Sequence, residues 1–132
     1  RLGFALSDIT QHLPGAFLIY KADPENDQIL FANQELVTYA GCKNLDEFMQ
    51  YSKHSFRNLI RSDEQEAVEK SIWQQIRSQA DGTNDFVQFH FVKKDGSTHP
   101  VLDHGRIVES NYYGNVFYVL IMECQLLDEH YD

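Results

Sequence analysis

The sequence predicts an α+β fold: a five-stranded antiparallel sheet with short helices and one longer helix on one face, plus an N-terminal helix. Three observations predict it. Apolar residues recur at helical spacing from Ser62 to about Ala80, then at a period of two over "DFVQFHFVK", residues 85–93. Turn-forming stretches separate the apolar runs at residues 23–27, 95–96 and 111–114. The run "NVFYVLIMEC", residues 115–124, is unbroken, as expected of the centre of a sheet.

Each element follows in chain order. Leu2, Leu6, Ile9 and Leu13 keep helical spacing, and Pro14-Gly15 ends that helix. "AFLIYKA" (16–22) and "QILFAN" (28–33) read as strands joined by the turn "DPEND", a hairpin. Asn33 can cap the short helix "QELVTYAG", which Gly41 closes. Asn44 with Glu47 fits a capping box opening a helix through Tyr51, and Ser62 with Gln65 fits a second box. That second box starts the longest helix, with Val68, Ile72, Trp73 and Ile76 on one face and Asp81-Gly82 at its end. Val87, Phe89 and Phe91 then alternate against Gln88, His90 and Val92. Asp95-Gly96 turns the chain into "THPVLDHGRIVE", and the turn at 111–114 leads into the last strand.

A chain of 132 residues suits one domain, and 42% hydrophobic with 13% aromatic residues supplies a core. Eleven Lys and Arg against twenty Asp and Glu give a net charge of −9, which repels nucleic acid and anionic lipid alike. No run of 18 apolar residues could span a membrane. No basic head followed by an apolar run marks a signal peptide, although an upstream membrane segment stays open because the chain starts abruptly at Arg1. Cys42 and Cys124 have no zinc spacing and fit reduced thiols in a cytosolic protein.

Four segments carry a family likeness. "LPGAFLIY" is a strand entered through Leu-Pro. "ILFANQELVTYAGC" joins a strand to a short helix through Asn33. "FRNLIRSDEQEAV" leads into the long helix, with Arg61 and Ser62 where a His-Pro pair is usual. "VKKDGSTHPVLDHGRIV" is a Lys-Asp-Gly hairpin. In this order, over roughly residues 13–124, they resemble a PAS domain. The resemblance implies a sensor or docking module that holds a small molecule between sheet and helices or pairs with another copy. It divides the chain into an N-terminal helix or linker (1–13), a sensor domain (14–124) and a connector (125–132) to an output domain. That output is expected to be a cyclic-di-GMP cyclase or phosphodiesterase, of the GGDEF class in the first case, or a histidine kinase, in the cytoplasm. Flavin photochemistry is not expected, because "SFRNLIRSD" lacks the reactive cysteine of light-sensing relatives. Haem is not expected either, because the long helix has no histidine and His54, just before it, reads as an exposed loop residue.

The candidate site residues lie on the second hairpin and the long helix. A two-residue turn at Asp95-Gly96 would put His90, His99 and Asp103 on one face. A three-residue loop with Gly96 as the bulge would put His99, Val101 and Asp103 on the face of Phe89 and Phe91. The family likeness favours the second register. Phe89, Phe91, Val101, Asp103, His99, Ile72 and Ile76 then form a ligand pocket, with Phe89 and Phe91 meeting the long helix near Ile72 and Ile76. Asp103 would need a donor: a ligand, a water, Arg106, His99 or His104. Metal and nucleophilic catalysis are not indicated. Two rival functions remain: a small enzyme using His99 and Asp103 as acid and base, and a ligand-free interaction module. Surplus sheet aromatics, among them Phe86 and Tyr118, with Leu2, Phe4, Leu6 and Ile9, predict a homodimer through the N-terminal helix and outer sheet face.

Overall fold

The computed structural model describes residues 14–78 and 82–125. The expected N-terminal helix, its part in a dimer, the end of the long helix near Ala80 and the connector beyond residue 125 lie outside the described residues. Five strands form one antiparallel sheet in the order β2-β1-β5-β4-β3. They are β1 (Ala16–Lys21), β2 (Ile29–Ala32), β3 (Asn84–Val92), β4 (Thr98–Ser110) and β5 (Gly114–Glu123). The apolar run of β5 sits at the centre of the sheet, pairing with β1 on one side and β4 on the other. Between β2 and β3 run α1 (Gln34–Tyr39), α2 (Leu45–Ser52), two 3-10 turns (Phe56–Leu59 and Ser62–Glu64) and α3 (Gln65–Ser78).

The helix starts show how local chemistry sets the chain path. Asn33 is buried, and its Oδ1 accepts from the backbone N–H of Leu36 at 3.0 Å and of Phe17 at 3.0 Å. Its Nδ2 donates to the Gly15 carbonyl at 2.9 Å. One side chain thus caps α1 and ties it to the start of β1. At α2, Asn44 Oδ1 accepts from Glu47 N at 2.8 Å, while Glu47 reaches back to Lys43 N at 2.6 Å, one residue beyond the expected box partner. The second expected box does not form. Ser62 lies inside a 3-10 turn whose cap position is Arg61, and no side chain caps it. Gln65 instead donates to the carbonyls of Arg57 at 2.9 Å and Ile60 at 3.3 Å, because the 3-10 turn has brought those carbonyls within its reach.

The core lies between the sheet's inner face and the helices, with Leu18, Leu36, Phe48, Phe56, Phe89 and Phe117 among its fully or nearly fully buried side chains. The free edge of β3 is covered by polar side chains. The Gln75 amide both donates to and accepts from the Phe86 backbone, each at 2.9 Å. Glu64 accepts from His90 N at 2.7 Å, and Arg61 N donates to the His90 carbonyl at 2.9 Å. These contacts use the donors and acceptors that an open edge would offer another chain. On the outer face Phe17, Ile19 and Val116 form a small buried cluster, while Phe86, Leu120 and Met122 are exposed.

Candidate functional site

The hairpin β3–β4 sets the register of every candidate. Lys93 N donates to Ser97 O at 2.8 Å and Gly96 N donates to Lys93 O at 2.9 Å, closing a three-residue loop. Gly96 has φ +89°, the left-handed bulge position that favours glycine. Phe91 then pairs with His99, Phe89 with Val101, Val87 with Asp103 and Asp85 with Gly105. With a side-chain period of two, Asp85, Val87, Phe89 and Phe91 share the inner face with His99, Val101, Asp103 and Gly105.

Phe89, Phe91 and Val101 are buried in the core. Ile72 is buried with them, and Ile76 packs at the core's margin. The aromatic partners of Phe89 and Phe91 come from the 3-10 turn and α1. Phe89 meets Phe56 edge-on at 6.2 Å, and Phe91 meets Tyr39 at 5.2 Å and bridges to Ile60. Gln75 fixes α3 beside Phe86, near the start of β3. The 3-10 turn and α1 therefore cover the later part of that strand. His99 lies at the rim, with Nδ1 3.3 Å from Glu123 Oε2, which also accepts from the Tyr39 hydroxyl at 3.2 Å. Burial, then the Glu123 charge, holds the Tyr39 phenol well above its ordinary pKa. Beside this rim an open cleft of about 500 Å³ is lined by Thr38, Tyr39, Gly41, Lys93, Lys94 and Asp95.

Asp103 is 1% exposed, and neither carboxylate oxygen has a hydrogen-bond partner. The three residues expected to serve it do not. His104 and Arg106 are one and three positions along the strand, odd separations that put them on the outer face. There His104 stacks on Phe86 at 4.3 Å. His99 shares the inner face but lies four residues away, roughly 13 Å along an extended strand. The acid–base pair of the enzyme reading is therefore not assembled.

A residue not singled out in the sequence completes the site. Asp85 is 1% exposed, and both of its carboxylate oxygens also lack partners. Its carboxyl lies over Gly105, where an added Cβ would sit 2.6 Å from Oδ2. Asp85 was legible in principle, since it is in phase with Val87, Phe89 and Phe91 at the start of the strand. Burial pushes its carboxyl up to about 7. Burial and then the Asp85 charge raise the Asp103 carboxyl well above its ordinary value.

Aromatic rings pack around Tyr20, on whose phenol both aspartates act. Tyr20 stacks on Phe56 at 4.2 Å and tilts against Phe117 at 5.1 Å, and Trp73 meets Phe117 edge-on at 5.5 Å. The Tyr20 phenol is pushed up by burial first, then by the charges of Asp103, Asp85, Asp27 and Glu69 in that order. Glu69 is 3.4 Å from Arg57, whose backbone N–H donates to Asp27 at 2.8 Å. Tyr20 thus feels the charges both of the buried pair and of this partly exposed margin. Among the described residues no group of three His, Cys, Asp or Glu side chains could hold a metal ion. Cys42 and Cys124 are free thiols.

The chain matches a family described as the PAS fold over residues 29–121, more than half its length. It belongs to the PAS family. Solved PAS structures share the fold at low identity. The PAS domain of an HTR-like protein from Haloarcula marismortui is 15% identical at a TM-score of 0.66, covering 93% of this chain and 92% of that one. A PAS domain from a two-component sensor histidine kinase is 14% identical at 0.66, covering 93% and 97%. The Rhodobacter sphaeroides LOV protein is 12% identical at 0.67, covering 94% of this chain and 67% of that one. No curated protein matches the chain. As a PAS domain it is a sensor module of signal transduction, a class that is not generally catalytic. No helix among the described residues is long and apolar enough to cross a membrane.

Proposed function

We propose that this PAS domain holds a small molecule between its sheet and helices and passes its occupancy to an output domain of the same protein. The observation that carries the reading is the pair Asp85 and Asp103, buried with four carboxylate oxygens that have no partner. A buried polar group without a hydrogen bond costs several kcal/mol, and a buried charge costs more, so such groups are retained where something binds them. Phe89, Phe91, Val101 and Ile72 form the apolar wall, with His99 and Ile76 at its margins. The proposed output is a cyclic-di-GMP cyclase or phosphodiesterase, or a histidine kinase such as the one that carries a similar PAS domain. We place it in the cytoplasm as a homodimer, whose contact is the outer sheet face around Phe86, Leu120 and Met122.

Native beside denaturing mass spectrometry of freshly purified protein tests both parts. A retained small molecule and a doubled mass are expected. A bare chain after exposure to cell extract would overturn the ligand reading, and a monomer at high micromolar concentration would overturn the dimer.

A further inference from the structure

We infer that the interior site takes a small organic cation bearing N–H donors, such as a primary amine or a guanidine, held between Asp85 and Asp103. The inference rests on the sensor reading above and names its ligand class.

The argument begins with the donors that are missing. Four carboxylate oxygens lie buried on adjacent strands, and none accepts a bond, not even from the other carboxyl. The pair is therefore not a dyad closed by a shared proton. An ionised carboxylate can only accept, so its occupant must donate. Gly105 strengthens the case: only a residue without Cβ leaves room for the Asp85 carboxyl in this position.

Charge selects among donors. An anion is repelled by both aspartates, whose charges also raise the Tyr20 phenol. A neutral polyol would bond the oxygens but leave their charge uncompensated in the core. A metal ion needs more ligands than two carboxylates supply, and no third acidic or imidazole ligand joins them among the described residues. An organic cation meets both needs, because its N⁺–H donors make charge-assisted bonds to the carboxylates. The partly exposed carboxylates of Asp27 and Glu69, which act on the Tyr20 phenol as the pair does, also favour a cation over an anion there, and Arg57 is the counter-ion of Glu69.

Binding would be linked to protons. A carboxyl that is neutral in the empty site must ionise to hold a cation, so affinity rises with pH through about 7, the value to which burial pushes Asp85. Tyr20 is the titratable group on which both aspartates act; Asp27 and Glu69 act on it as well, and Arg57 pairs with Glu69.

The test uses the 132-residue chain with agmatine and putrescine as probes, and 1,4-butanediol and succinate as neutral and anionic controls. Calorimetry is run at pH 6 and pH 8 in two buffers of different ionisation enthalpy, with thermal melts alongside. The expected result is binding of at least one amine and of neither control. Affinity should be about tenfold or more tighter at pH 8, with proton release on binding. Asp103→Asn should weaken it about a hundredfold, and Asp85→Asn at least tenfold. Both variants should melt no lower than the parent at pH 8, which confirms that they fold. No amine binding at 10 mM, or binding unchanged in Asp103→Asn, would overturn the cation assignment. Should native mass spectrometry then find a neutral or anionic molecule that Asp103→Asn loses, the sensor reading survives without it. If no molecule is retained either, both fall.

Discussion

At the scale of the residue, the chain concentrates its unusual chemistry at Asp85, Asp103 and Gly105, all inside a sheet face otherwise lined by apolar groups. Gly105 makes no hairpin and needs no left-handed backbone; its service is spatial. A methyl there would meet Asp85 Oδ2 at 2.6 Å, Oδ1 at 3.1 Å and Cγ at 3.2 Å, and a buried carboxyl between strands has little room to retreat. Gly105→Ala is expected to cost about 1–3 kcal/mol, the usual penalty of overpacking. The double variant Gly105→Ala with Asp85→Ala should recover most of that loss, because the clash and its partner vanish together. Urea denaturation of the parent, both single variants and the double variant closes the cycle. Strict additivity of the two changes would mean that Gly105 serves some other purpose.

At the scale of the element, most boundaries were legible because each rests on local chemistry. Asn33 and Asn44 announced their helices, Gly96 its bulge, and the unbroken run of β5 its central place. What stayed hidden depended on contacts distant in sequence. Ser62 looked like a cap, yet the 3-10 turn displaced that role, and Gln65 turned to carbonyls five and eight residues back. The position of α3 beside the start of β3 hangs on Gln75, a polar residue that no hydrophobic period selects. Asn33 shows both kinds at once. Its cap to Leu36 could be read from spacing, while its bonds to Gly15 and Phe17, across the first hairpin, could not. Asn33→Ala should therefore cost more than an ordinary cap, about 3 kcal/mol, since the buried Phe17 N–H loses its acceptor as well. Asn44→Ala, which removes a cap at an exposed helix start, is the comparison, and a smaller loss of about 1 kcal/mol is expected there. Chemical denaturation of the two variants ranks them, and equal losses would show that the tie to β1 adds nothing.

At the scale of the whole molecule, the site was half legible. Alternation and the bulged loop brought Asp103 inward with Phe89 and Phe91, but period two also carried His104 and Arg106 outward, so its expected partners were lost. The same rule marks Asp85 once Asp103 is known to face inward, because the two lie on facing strands with Val87 and Gly105 as their opposites. Two buried acids should govern how the entire fold responds to pH. Asp85 titrates near 7 in the folded chain, against about 3.9 in an unfolded one. Between those values the folded chain holds a proton that the unfolded chain has given up, so stability falls as pH rises. One such proton corresponds to about 1.4 kcal/mol per pH unit, on the order of 4 kcal/mol across the window. Asp103 is shifted in the same direction, by burial and then by the Asp85 charge, and adds to the fall. Glu47, Asp63 and Asp95 shift downward through exposed hydrogen bonds and act only near and below pH 4, with the opposite sign. The ligand-free chain should therefore be most stable near pH 4 and melt at progressively lower temperature toward pH 8, where many domains are still on their plateau. Asp85→Asn with Asp103→Asn should flatten that slope and raise the melting point at pH 8, because neutral amides need no proton to stay buried. Melting curves at half-unit steps decide the matter: a parent profile that is level or rising from pH 5 to 8 would mean that the two carboxyls are satisfied in solution, by a bound donor or by water, in the purified protein itself.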